Sequence, residues 1–246
     1  MTSPPASDPA SGPANGPLGE PAAREPADRL DQGDYFENHR RARQFPWTLY
    51  HQPLERDLAR FLGEVAGEHP TGEILVVGCG LLHEIDAAPS SLTFHVCDID
   101  ERAVAAVLAR GDARITGGTV VPPEAPIDHH IDGGVAQRFA GIYAKEVVEH
   151  VLAWPTWLAG LRRALVPAGR LWLSTPNYGE PWLPAIESTV LELIARRSGF
   201  SRRQLHPTRF SRSSLRRGLV AAGFEQVDVR PTPTRLALTS SARAPR

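Results

Sequence analysis

Lysine occurs once in the 246 residues, at Lys145, and cysteine only twice, at Cys79 and Cys97. Two cysteines cannot build a disulfide framework and fit a reducing compartment. No charge of one sign dominates: 27 basic residues face 28 acidic ones, so overall charge does not advertise nucleic acid or a membrane surface as partner. No apolar run approaches bilayer length, and the N-terminus has no charged-then-apolar signal pattern. The expectation is a cytoplasmic protein that does not enter the membrane. With lysine almost absent, the positive charge is nearly all arginine. Together with abundant Ala, Pro and Gly, this reflects GC-rich coding rather than function. Hydrophobic residues make up 41% of the chain, enough for one sizeable domain with a real core.

Residues 1–30 are Pro, Ala, Ser and Gly with almost nothing to bury and read as a disordered tail. The remainder, 31–240, reads as a single domain. Aromatic residues open it, at Tyr35-Phe36, Phe45-Pro46-Trp47 and Tyr50-His51. Leu54, Leu58, Phe61, Leu62 and Val65 then fall at helical spacing, and Gly67 and Pro70 stop the helix. Ile74 to Val77 is a short apolar run and reads as a buried strand. Thr93–Cys97 predicts a second strand and Glu101–Arg110 a second helix. A strand is expected near Ile127–Ile131 and another over Gly141–Ala144. Trp154, Leu158, Leu161 and Leu165 mark a helix closed by Pro167 and Gly169, with Arg170–Ser174 the next strand. Such alternation predicts an α/β, Rossmann-like doubly wound sheet, mostly parallel. After a helix over Ser211–Ala222, Phe224–Arg230 and Arg235–Thr239 read as a hairpin, which makes the C-terminal edge antiparallel.

The first strand stops at Gly78-Cys79-Gly80. A strand ending in Gly-x-Gly turns sharply and brings bare amides up to a ligand. Dinucleotides want a third glycine three residues on, where this chain has His83. S-adenosylmethionine, which has no pyrophosphate, fits the turn better. It needs a carboxylate for its ribose, and Asp98 ends the second strand twenty residues after Gly78. Asp100 is a substitute, and Asp98 as cap of the following helix is the alternative. Cys79 reads as a small residue in a tight turn, since no His/Asp arrangement makes it a catalytic thiol.

The parts ILVVGCG, HVCDID, FAGIYAKEVVEHV, LRRALVPAGRLWLSTPNYG and AAGFEQVDV, with TRLALTS, together resemble the class I S-adenosylmethionine-dependent methyltransferases, in the branch of ubiquinone-type O-methyltransferases and natural-product methyltransferases. The resemblance runs from about Tyr35 to Thr239. It implies that Gly78, Cys79, Gly80, Asp98, Ile99 and Lys145 hold the cofactor. It also implies an N-terminal helical lid over 31–67 and a substrate-recognition insert over 180–212. Two positions depart from the pattern. Val76 stands where an acidic residue is usual, and Leu82 where a glycine is often found. The first removes a polar partner for the cofactor's methionine end, which Glu84 would have to replace. The second crowds the turn.

Glu146, Glu149 and His150 follow the fourth strand with spacings of three and one, so that on a helical turn Glu146 shares a face with the other two. A hydroxyl acceptor must lose a proton, and these side chains are the candidate catalytic groups, with His150 as base. In some relatives an E-x-x-E-H set holds a divalent metal, for which His206 would be a further ligand; in others the same residues line the pocket without metal. Eight arginines and no acid lie between Leu193 and Phe224: Arg196, Arg197, Arg202, Arg203, Arg209, Arg212, Arg216 and Arg217. They read either as a grip on an anionic substrate or RNA, or as a solvated face. The reading is a methyltransferase acting on a small-molecule hydroxyl. An RNA 2′-O-methyltransferase-like enzyme and a catalytically silent partner-binding protein are the alternatives. Oligomeric state is not legible.

Overall fold

The computed structural model describes residues 48–122, 127–131, 137–180 and 207–246. The 1–30 tail, the first part of the 31–67 lid with Trp47, residues 181–206 of the 180–212 insert, and with them His206, lie outside the described residues.

The chain enters through a long helix α1 (Thr48–Glu68), then β1 (Glu73–Val77), a 3-10 turn (His83–Ala87), β2 (Thr93–Asp98), α2 (Glu101–Leu108), β3 (Ile115–Val120) and a one-turn helix α3 (Ile127–His130). It continues with β4 (Phe139–Lys145), a 3-10 turn (Val148–His150), α4 (Trp154–Ala164), β5 (Leu165–Pro176), α5 (Arg212–Ala221), β6 (Glu225–Pro231) and β7 (Ala237–Arg243). The seven strands run in the order β3-β2-β1-β4-β5-β7-β6. Those from β3 to β5 pair in parallel, and β7 pairs antiparallel with both β5 and β6. The doubly wound sheet with an antiparallel C-terminal edge is therefore present as expected. No helix among the described residues is long and apolar enough to cross a membrane.

Two cores sandwich the sheet. Ile74 and Val76 of β1 face α1 and α2, packing with Leu58, Phe61, Leu62, Val65, Val104 and Val107. Leu75 and Val77 face the opposite layer, with Leu158 and Leu161 of α4 and Leu215 and Leu219 of α5. Alternate residues of one strand are buried on both faces, so β1 reads as an unbroken apolar run.

Two expectations need correction. Ile127–Ile131 is not a strand: Ile127 to His130 is helical, and Ile127 and Ile131 are both buried. Their spacing of four is one helical turn, which brings both to the same core. The strand of this region is Ile115–Val120, half-exposed at the edge and carrying Gly117 and Gly118, so it lacks the apolar run that marks interior strands. Helix α4 also ends at Ala164. Leu165, Pro167 and Gly169 belong to β5, whose pairing with β4 is irregular between Phe139 and Gly141; Pro is tolerated in a strand at such an irregularity.

Glu73, at the start of β1, ties three strands together below the sheet. Its carboxylate accepts from Arg138 Nε at 2.5 Å and from Thr116 Oγ1 at 2.6 Å. Burial alone would raise the Glu73 carboxyl, but the hydrogen bonds from Arg138 and Thr116 outweigh it and hold it below its ordinary 4.5. A lowered folded-state value contributes stability that is present above the unfolded value and is lost as pH falls through the folded one. Glu73→Gln is expected to be less stable than the wild type by about 1–2 kcal/mol at neutral pH. In urea unfolding series at several pH values, the gap should close as pH drops below 4.5.

Candidate cofactor and acceptor site

The turn after β1 is held by the end of β2. The amides of Gly78 and Cys79 both donate to the Cys97 carbonyl, at 2.9 and 3.1 Å. Gly80 N–H donates to Asp98 Oδ2 at 3.0 Å, and Asp98 Oδ1 accepts from the Asp100 amide at 3.1 Å. Gly78 and Gly80 both have positive φ, 70° and 48°. A Cβ on Gly78 would also meet Val147 Cγ2 at 2.5 Å, so this glycine is required by backbone angle and by space together.

Leu82 takes φ 48° and ψ 46°, the left-handed conformation that a glycine adopts without strain. Its side chain does not crowd the turn, as the sequence suggested. It points into the α1/α2 core with Ile85 and Leu92 and is 1% exposed. Burial of a whole leucine offsets the backbone cost. From the end of α2, Arg110 donates to the Leu81 and Leu82 carbonyls at 3.2 and 2.8 Å and to Asp86 at 2.6 Å. Nothing in its sequence context marked Arg110 as the strut of this turn.

Asp98 is not the helix cap. Asp100 caps α2, accepting from the Arg102 amide at 2.9 Å and pairing with the Arg102 guanidinium at 2.7 Å, so Asp100 is engaged elsewhere. Asp98 is buried at the carboxyl end of β2, and burial pushes its carboxyl up against the pull of the Gly80, Asp100 and Ile99 amides. Ile99 is half-buried and packs on the α4-side core. The Cys79 side chain is buried in the α1-side core, and burial followed by the nearby Asp98 charge pushes its thiol far above the usual range. It is not a thiolate, in keeping with its reading as a small turn residue.

At the end of β4, Lys145 forms an ion pair with Glu84 from the 3-10 turn after the glycines. Glu146 takes φ 59°. Its Oε1 accepts from Ser174 Oγ at 2.8 Å, its amide donates to the same Oγ at 3.1 Å, and its Oε2 accepts from the Tyr50 hydroxyl of α1. The left-handed backbone at Glu146 lifts it out of the helical turn, which spans only Val148–His150. The expected shared face of Glu146, Glu149 and His150 is therefore not formed. Glu149 is buried, its carbonyl accepting from the Thr208 amide at 3.1 Å, and His150 is half-buried. Among the described residues no group of three or more His, Cys, Asp or Glu is placed to hold a metal ion. Ser174 is a site residue the sequence did not single out: it is an ordinary strand serine until β5 lies beside β4.

Of the eight arginines, Arg196, Arg197, Arg202 and Arg203 lie outside the described residues. Arg209 lies over the Tyr178 ring at 5.2 Å and Arg212 donates to the Val229 carbonyl at 2.7 Å. Arg216 and Arg217 are exposed on α5.

A sequence profile described as a methyltransferase domain matches residues 47–229. The chain belongs to the class I S-adenosylmethionine-dependent methyltransferase family. No curated protein sequence matches it. Among solved structures, Burkholderia thailandensis 1,6-didemethyltoxoflavin-N1-methyltransferase, with bound 1,6-didemethyltoxoflavin and S-adenosylhomocysteine, is similar at TM-score 0.58 and 18% identity, covering 95% of this chain and 94% of that one. The N-methyltransferase NodS from Bradyrhizobium japonicum WM9 matches at TM-score 0.51 and 15% identity, over 79% and 98% of the two chains. The [4+2]-cyclase SpnF matches at TM-score 0.53 and 15% identity, over 76% and 81%. At these identities the likeness is one of fold.

The residues of this methyltransferase fit its cofactor. A carboxylate accepts about four hydrogen bonds; Asp98 accepts from the Gly80 and Asp100 amides, which leaves capacity for a ribose hydroxyl. The conformation at Leu82 has its own consequence. Elsewhere Gly is the weaker residue, but here Leu82→Gly is expected to be more stable than Leu82→Ala by about 1 kcal/mol. Both should be less stable than the wild type by about 2 kcal/mol or more in urea unfolding, since both empty the leucine site.

Proposed function

We propose that this methyltransferase transfers its methyl group to a hydroxyl oxygen of a small-molecule acceptor, with the Gly78–Gly80 turn under the methionine part of the cofactor, Asp98 on its ribose and Glu146 receiving the acceptor's proton. The observation that carries the reading is Glu146 itself. A carboxylate is drawn to the carboxyl end of β4 by a left-handed backbone and gripped from two sides, by Ser174 of β5 and Tyr50 of α1. Non-glycine residues persist in such conformations only where the surrounding structure over-determines them, and they cluster at active sites.

Bound S-adenosylmethionine supplies a methyl on a positively charged sulfur that leaves as a neutral thioether. The protein then has alignment and one proton to manage. Glu146 would accept the O–H proton of the acceptor as that oxygen takes the methyl. Ser174 fixes one oxygen of Glu146, and the other, which accepts from Tyr50, is the one assigned to the acceptor's proton. An amine acceptor that arrives neutral needs no such base, so the carboxylate favours oxygen. The small-molecule complex of the toxoflavin relative supports a small acceptor, and Glu149 and His150 are assigned to shaping the pocket beside it. Of the four described arginines, Arg209 and Arg212 are engaged within the fold and Arg216 and Arg217 are exposed.

Calorimetric titration with S-adenosylhomocysteine tests the cofactor site first. Micromolar binding is expected, weakened by about 10-fold or more in Asp98→Ala, the loss of a charge-assisted contact. A panel of hydroxyl and amine acceptors, read by release of S-adenosylhomocysteine, then tests the base. Glu146→Gln should lower kcat on hydroxyl acceptors by roughly 100-fold, the usual scale of general-base catalysis, while cofactor affinity stays within about threefold. Turnover of amines alone, indifferent to Glu146→Gln, would overturn the oxygen assignment.

A further inference from the structure

Lys145 is the sole lysine of the chain, and it is spent on an ion pair with Glu84 at the carboxyl edge of the sheet. It ends β4, one residue beyond the pairing of Val77 with Ala144, so it stands beside Gly78. Its partner Glu84 lies in the 3-10 turn that directly follows the glycine turn. The pair thus straddles the carboxyl ends of β1 and β4. It is largely withdrawn from water, the two side chains being 23% and 10% exposed. Beneath it, the position that usually carries an acid holds Val76, which is buried among the apolar residues of the α1/α2 core. The carboxyl end of β1 therefore carries no acid, yet a positive and a negative group stand side by side next to it.

We infer that Lys145 and Glu84 together form the recognition site for the zwitterionic amino-acid end of the cofactor, the Lys145 ammonium taking the α-carboxylate and the Glu84 carboxylate taking the α-ammonium. The inference rests on the cofactor reading above. An ammonium has three donors and a carboxylate about four acceptor sites. Each member can hold the other and still take a ligand group of opposite charge, so that the four charges alternate in sign. A preformed pair in a water-poor cleft needs little rearrangement to do this, and it supplies from the turn and from β4 the polar contact that Val76 cannot supply from β1.

The test is calorimetry on the full chain with three ligands. S-adenosylhomocysteine carries both charged groups, S-adenosyl-3-thiopropylamine lacks the carboxylate, and 5′-methylthioadenosine lacks both. Lys145→Met should weaken S-adenosylhomocysteine by about 10- to 100-fold, the range for a hydrogen bond to a charged group, and leave the other two within about threefold. Glu84→Gln should weaken S-adenosylhomocysteine and S-adenosyl-3-thiopropylamine and spare 5′-methylthioadenosine. Lys145→Arg, which keeps the charge, should stay within about fivefold of the wild type. A parallel loss of all three ligands would make the pair a structural strut and overturn the inference, as would no loss at all. If the variants fail to fold, the wild type decides: it must bind S-adenosylhomocysteine at least about 10-fold tighter than 5′-methylthioadenosine, and equal affinities overturn the inference. An intact protein that binds none of the three would instead remove the cofactor reading itself.

Discussion

Asp98 accepts the Gly80 amide at 3.0 Å while the Cys97 carbonyl before it takes the amides of Gly78 and Cys79. The cofactor end of this molecule is organised around that junction. It joins the turn after β1 to the end of β2 and so sets where the sheet's carboxyl edge opens. A buried carboxylate is costly, and burial pushes the Asp98 carboxyl up. The backbone amides aimed at it offset part of that cost and leave acceptor capacity for a ligand. A carboxylate so buried sits below its stability optimum, which agrees with the proposal that a ribose hydroxyl completes its set of partners.

The second constraint is the turn after β4. Glu146 could have continued into the helical turn at Val148–His150. Instead its backbone is left-handed, its amide donating to the Ser174 Oγ and carbonyl and its carboxylate accepting from Ser174 and Tyr50. Val147 then lies against Gly78, close enough that no Cβ fits there. The two turns are thus packed on each other, and a change at one is felt at the other. Helix α1 belongs to the same assembly. It is fixed to the sheet by Leu58, Phe61, Leu62 and Val65 and by the Trp172 indole donating to Asp57 at 3.0 Å, and it delivers Tyr50 to Glu146.

The likeness to SpnF, a cyclase on the same fold at 15% identity, shows why side chains rather than topology must carry the functional argument. Here they are an acid at the end of β2, a salt bridge across the cleft and a gripped carboxylate after β4.

The sequence alone determined the sheet and the cofactor. Apolar runs at Ile74–Val77 and Gly141–Ala144, helical spacing over Leu54–Val65, and the Gly-x-Gly turn with Asp98 downstream are local signals, and local periodicity survives folding. It failed where a signal was not local. Ile127 and Ile131 are consistent with a strand or a helical turn until a core exists to receive both on one side. The strand at Ile115–Val120 is hidden by its glycines. Only the tertiary structure decided which way Leu82 and Glu146 turn. Left-handed angles at non-glycine residues are imposed by distant partners, the α1/α2 core in one case and Ser174 and Tyr50 in the other. Only it brought Lys145 to Glu84, 61 positions apart in the chain, because parallel pairing of β4 with β1 places side by side what the chain keeps apart.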